Sequence, residues 1–139
     1  MGESMKVEEQ VCSLELAKKL KDLGVKQESL WYWVKIAEID RQWILMHTDK
    51  VHEGFIYVSA FTVAELGEML PNKIKLNFDD MRYECQLFYL NTEHGCYCSY
   101  RADMDYERDL EIEACSGNTE ANVRAKMRIW LVENGKVKA

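Results

Sequence analysis

The sequence predicts an α+β fold, a mostly antiparallel sheet made of a hairpin and a meander and packed with an N-terminal helix, a short central helix and a C-terminal helix. Two observations carry this reading. Helical spacing bounded by cap and stop residues frames the chain at 13–24 and 118–135, and the aromatic-rich stretch between them is strand-like, with period-two alternation. The order is helix, hairpin, short helix, meander, helix, which segregates strands and helices as α+β domains do.

In the first helix Ser13 caps, Leu16, Ala17, Leu20 and Leu23 share a face, and Lys18, Lys19, Lys21 and Asp22 lie off it. Gly24 fits the left-handed position that ends a helix, with Val25 closing over Leu20 in a Schellman contact. Residues 30–36 alternate Leu30, Tyr32, Val34 and Ile36 with Trp31, Trp33 and Lys35, a strand bulky on both faces. Residues 41–46 are expected to return as its partner through a turn at 37–40, which lacks a tight-hairpin signature. Residues 47–54 read as loop, and 55–59 as a short strand or an extended lead-in.

Thr62 and Glu65 form a T-x-x-E capping box that opens a helix over 63–70, and Pro71 ends it. Strands are expected at 73–78, 83–90 and 96–101, the last two joined by a five-residue loop, 91–95; Asp79-Asp80 reads as a turn. A fourth strand, 109–114, sets Leu110, Ile112 and Ala114 inward and Asp109, Glu111 and Glu113 outward, and 115–118 turns into the closing helix. That helix, capped by Asn118 or Thr119, carries two apolar stripes: Ala121, Ala125, Ile129 and Val132 on one side, Val123, Met127, Trp130 and Leu131 nearly opposite. It must be covered twice, once by the sheet and once by the first helix or a second subunit.

The chain has 139 residues, 47% hydrophobic and 30% charged, with one proline and seven glycines. These values fit one globular domain over 1–139 with no linker or repeat, the order of residues 1–10 being left open. No apolar run is long enough to span a bilayer and the start is too polar for a secretory signal, so a cytoplasmic location without membrane contact is expected. Five cysteines, Cys12, Cys85, Cys96, Cys98 and Cys115, make an odd set best read as reduced thiols. The formal charge of −6 argues against direct nucleic-acid binding. An acidic stretch, Asp103, Asp105, Glu107, Asp109, Glu111 and Glu113, could face Arg124, Lys126 and Arg128 of the last helix.

Cys96 and Cys98 place their thiols on one strand face, with His94 before them and Cys85 on the neighbouring strand. C-x-C on an extended strand does not aim two sulfurs at one point as a C-x₂₋₄-C knuckle does, so buried thiols are favoured over a zinc site or a Cys–His nucleophile. The acidic stretch fails as a calcium loop, having Arg108 where glycine is required and Ala114 where a glutamate is required. It reads instead as a solvated outer strand face. His47, Asp49 and His52 make a second, weak metal set. No nucleotide, hydrolase or metalloprotease signature is present, and no cofactor is expected.

The tryptophans carry more weight. Trp31 and Trp33 share a face and Trp43 could sit across from them, which as core is ordinary and as surface is a stacking or docking platform. Three phrases, VCSLELAKKLKDLGVKQESLWYWV, SAFTVAELGEMLP and EANVRAKMRIWLVENG, together resemble a family of small uncharacterised proteins encoded by phages, prophages and mobile elements of bacteria. The resemblance covers about residues 11–135 and implies a bacterial cytoplasm and an accessory role, with no residue assignments.

The leading expectation is therefore a non-enzymatic interaction module, a homodimer or adaptor, with Trp31, Trp33, Trp43 and Trp130 as anchors. The alternatives are a small metal- or thiol-dependent enzyme acting through His94, Cys96 and Cys98 or through His47, Asp49 and His52, and an acidic modulator of a nucleic-acid-handling enzyme.

Overall fold

A computed structural model of the chain describes residues 6–36, 42–47, 53–78, 81–104 and 108–139, without the side chains of 78, 103–104 and 108–114. The elements run α1 (Val7–Gln10), α2 (Leu14–Asp22), β1 (Trp31–Ile36), β2 (Ile44–His47), β3 (Phe55–Ala60), α3 (Val63–Met69), β4 (Lys73–Phe78), β5 (Met81–Thr92), β6 (Gly95–Met104), β7 (Arg108–Gly117) and α4 (Glu120–Glu133). The class is α+β, as the segregated pattern indicates. Hairpin and meander form two antiparallel sheets rather than one, ordered β2-β1-β3 and β4-β5-β6-β7.

Helix boundaries follow the local chemistry. Ser13 Oγ accepts from the Leu16 N–H at 3.3 Å, while its own N–H donates to Asn122 Oδ1 at 2.7 Å, so the α2 cap is also a tether to α4. At the other end the Gly24 N–H reaches Lys21 O and the Val25 N–H reaches Leu20 O, the Schellman pair, with Gly24 at φ +94°. In α3 the Thr62 and Glu65 side chains cap each other's backbone N–H groups, at 3.2 and 2.9 Å. Glu65 Oε2 also accepts from the Leu30 N–H, pinning the start of β1 to the helix.

α4 is the shared wall. Ala121, Ala125 and Ile129 join Cys12, Ala17, Leu20, Val58, Phe61 and Leu66 in one cluster, the lower core. Val123, Met127 and Leu131 join Leu76, Cys85, Cys98, Tyr100 and Cys115 in the upper core, against the four-stranded sheet. Both stripes are thus covered within one chain. The alanines let α2 approach closely, and the bulkier stripe fills the space over the wider sheet. Arg124 and Arg128 lie one turn apart between α4 and α3, donating to Val63 O at 3.2 Å and Met69 O at 2.8 Å, the latter at the end of α3 where a cation is favoured. Gly67 gives Arg124 its room, since a Cβ there would collide with Nη1.

Several boundaries differ from the sequence reading. β5 and β6 extend to Thr92 and Gly95, so the expected five-residue loop is a two-residue turn at Glu93-His94. Thr92 Oγ1 makes the closure, donating to Gly95 O and accepting from the His94 N–H, both at 3.1 Å. Gly95 sits at φ +139° with a hypothetical Cβ only 2.9 Å from Gly117 O, a position no other residue fills without strain. Residues 115–117, expected as turn, complete β7, with Cys115 opposite Cys98 and Gly117 opposite Cys96. β2 starts at Ile44 rather than at 41, and Ala60 extends the short strand, which pairs with β1. Residues 7–10 form one helical turn. Lys126 donates to Ser116 O and Arg128 also to Lys138 O, so these bonds of the basic residues go to carbonyls rather than to the acidic stretch. The 37–40 and 79–80 turns, most of the 47–54 loop and the inward or outward sense of 109–114 lie outside what is described. Among the described residues no helix is long and apolar enough to cross a membrane.

Candidate interaction face

The small sheet has two apolar faces, and among the described residues only one of them packs into a core cluster. Pairing sets Trp33 between Leu45 and Val58, and Trp33 and Val58 pack into the lower core beneath α2. Alternation sends Tyr32, Val34 and Ile36 the other way, flanked by Met46 and Ile44 on β2 and by Tyr57 and Phe55 on β3. None of these seven side chains belongs to either core cluster. Ile44, Met46 and Phe55 are 55%, 45% and 40% exposed, while Val34 at the centre of the sheet is buried. Tyr32 stands edge-on to Tyr57 at 5.9 Å, and Phe55 tilts against Tyr57 at 6.3 Å, so the face carries an ordered aromatic row. The Tyr32 hydroxyl is held locally, accepting from the Ser29 N–H at 3.2 Å and donating to Gln27 O at 3.4 Å. None of the seven side chains is an acid or a base at neutral pH.

No protein-family model, curated protein or solved structure matches the chain.

The four tryptophans lie elsewhere. Trp33 donates from Nε1 to Cys12 O at 3.2 Å, and Trp43 lies with the Lys18 and Lys35 ammonium groups each 5.0 Å from its ring, a cation–π arrangement at the edge of the lower core. Trp43 is not across from Trp31 or Trp33, whose partners are His47 and Leu45. Trp31 contacts His47 edge to face at 5.1 Å, and Trp130 is half-buried against the upper core. The structure therefore brings Trp33 and Trp43 to one cluster and separates Trp31 and Trp130 from it. The tryptophan positions do not point to the face described above. Its signal was present in the alternation of Tyr32, Val34 and Ile36, which left β1 bulky on both sides.

Cys96 and Cys98 share the inner face of β6, as spacing indicates, but that face is the upper core: Cys98 and Cys85 are fully buried and Cys96 half-buried. His94 sits in the turn with its side chain 89% exposed, next to Glu93 at 3.5 Å. Among the described residues no three His, Cys, Asp or Glu side chains gather to hold a metal ion. Of the second set only His47 is described; Asp49 and His52 lie outside. Burial pushes the Cys98 thiol up to about 12 and Cys12 up to about 11, and raises Cys85 and Cys96 as well. Thiols so protonated are poor nucleophiles at neutral pH.

The raised values also carry a stability consequence. A group that holds its proton more tightly when folded contributes fully below its unfolded value, 9.0, and that contribution disappears as pH climbs to about 11 for Cys12 and about 12 for Cys98. Unfolding midpoints are expected to fall progressively above pH 9, less steeply in Cys12→Ala and Cys98→Ala. Alkylation at pH 8 should reach Cys96 before Cys12 or Cys98; labelling of Cys98 as fast as a free thiol would contradict this environment.

The hollow at the start of α4, lined by Glu9, Val63, Asn91, Cys96, Thr119 and Glu120, offers less chemistry. Glu120 is engaged by Asn91 Nδ2 at 2.9 Å and lies 4.0 Å from Arg124, and two carboxylates line an end where the helix dipole favours an anion.

Proposed function

We propose that the protein is a non-enzymatic interaction module whose docking surface is the outer face of the three-stranded sheet. The observation that carries this is the set Tyr32, Ile36, Ile44, Met46, Phe55 and Tyr57, apolar and outside both cores, with Ile44, Met46 and Phe55 exposed and the other three half-buried. The largest apolar patch on a soluble monomer, typically about 300–600 Å², is often a functional site. The raised thiol values weigh against a thiol nucleophile at Cys96 or Cys98. The resemblance of the helix-boundary phrases to small phage and mobile-element proteins supports an accessory role in a bacterial cytoplasm.

The test is the double variant Ile44→Lys/Met46→Lys. Both side chains project from a short edge strand, so the fold should persist with little change in melting temperature. Affinity capture by the immobilised protein, from cells that carry its gene, should fall at least about 30-fold, the equivalent of roughly 2 kcal/mol. Capture undiminished by the variant would overturn the assignment of this face.

A further inference from the structure

We infer that Cys98 and Cys115 are a modification site, two facing thiols that a low-molecular-weight disulfide such as oxidised glutathione converts to a reversible cross-strand disulfide. The inference is independent of the docking face and stands or falls apart from it.

The first observation is placement. Pairing of β6 with β7 sets Cys98 directly opposite Cys115, and both belong to the upper core under α4. Among the described register pairs no other sets thiol against thiol: Cys85 stands opposite Ile74, and Cys96 lies between Asn91 and Gly117. Their nearness also shows in titration, since burial raises the Cys98 thiol and the neighbouring Cys115 raises it further.

The second is geometry. Directly opposed residues of an antiparallel pair have Cα atoms about 4.5 or 5.5 Å apart, and both distances lie within the range of about 4.4–6.8 Å that a disulfide spans. Cβ atoms about 4.5–5.5 Å apart across the ladder must close to about 3.5–4.5 Å. β7 is the edge strand of its sheet, and the ladder shifts register between Ser99 and Tyr100, one residue beyond the pair, so β7 can make this adjustment without displacing a further strand. A bond closed against such strain is readily reduced, which is the behaviour of regulatory rather than structural disulfides.

The third is access. Cys98 has no exposed surface, whereas Cys115 is 8% exposed and lines a hollow of about 400 Å³ between α2 and α4 with Leu16, Ile129 and Trp130. Lys19 and Lys126 border the same hollow, Lys19 3.9 Å from Glu133 and Lys126 2.7 Å from Ser116 O, so two ammonium groups face one carboxylate at the entrance. That balance suits an anionic disulfide such as oxidised glutathione. Cys115 is therefore the entry thiol. Its thiolate attacks one sulfur of glutathione disulfide, forming a mixed disulfide and releasing one glutathione thiolate. Cys98 then gives up its proton and attacks the Cys115 sulfur, releasing the second. Two protein thiols are oxidised, one glutathione disulfide is reduced to two thiols, and the two protons lost by the protein end on the released glutathione. The raised Cys98 value slows the second step, and its fixed place beside Cys115 lets it compete with reversal.

Incubation of the purified full chain with excess oxidised glutathione under native conditions tests this, with circular dichroism checking that it stays folded. Remaining thiols are alkylated in denaturant, and the protein is digested without reductant and mapped by mass spectrometry. The expected product in the wild type is a peptide pair joined through Cys98 and Cys115 and reopened by excess reduced glutathione. Cys98→Ala should instead hold glutathione on Cys115 at a level at least about tenfold above the wild type, because no second thiol displaces it. Cys115→Ala should leave Cys98 unmodified. The wild-type map decides by itself if either variant fails to fold. Both thiols remaining free, glutathione persisting on Cys115 in the wild type, or a dominant link through Cys85 or Cys96 overturns the inference. A link that resists reduced glutathione overturns its reversibility.

Discussion

Phe61→Ala is expected to remove about 3–5 kcal/mol of stability, the range for truncating a fully buried aromatic side chain. Phe61 has no exposed surface and sits where β3 hands over to α3, inside the cluster shared by α2, α3 and α4. Its carbonyl accepts from the Cys12 N–H at 2.9 Å, beside the isolated Val11–Thr62 bridge, so the ring anchors the backbone crossing that brings the N-terminal segment against α3. Truncation leaves a void inside a cluster whose helices are held by their own caps and are poorly able to collapse into it. Urea titration of the variant checks the magnitude; a loss below about 1 kcal/mol would mean the site relaxes far more than close packing allows.

Leu131→Ala is expected to cost about 2–5 kcal/mol by the same mechanism on the opposite side of α4. Leu131 is fully buried in the upper core, and its carbonyl accepts from the Lys136 N–H at 2.8 Å in the motif that ends the helix. The two substitutions strike different clusters that share one helix. Because neither cluster has a complete wall without α4, each variant should lower the stability of both sheets together in a single transition. Native-state hydrogen exchange at Leu20 and at Tyr100 reads the two sides separately. Unequal slowing or acceleration, with one side unmoved, would show that the sheets open independently.

Legibility from sequence was highest where one residue enforces one geometry. Ser13, Gly24 and the Thr62–Glu65 pair fixed two helices nearly to the residue, because cap chemistry is local. The double striping of α4 announced two covers, and both are intramolecular. Strand ends were less legible. Thr92 belongs to the ladder although threonine, asparagine and glycine nearby suggest loop, since its hydroxyl completes a tight turn in which Gly95, lacking a Cβ, lets the carbonyl of the distant Gly117 approach. Cys115 to Gly117 look like a turn for the same reason: pairing with β6 is a long-range property. The candidate face lay in plain alternation, but which side of β1 the helices would cover depends on where α2 lands, and the bonds of Asn122, Phe61 and Trp33 to the residues at its start are all long-range.

The place of α4 in chain order gives its double coverage a kinetic meaning. All seven described strands are synthesised before the helix that walls both cores, so the growing chain holds two greasy half-cores open at once and can complete neither by local pairing alone. The contacts of α4 with α2 and α3 join segments far apart in sequence, and contacts of that kind form late. During that interval the nascent protein is a natural client for chaperones, and newly made molecules are most at risk of clumping just before Glu120–Glu133 takes its place.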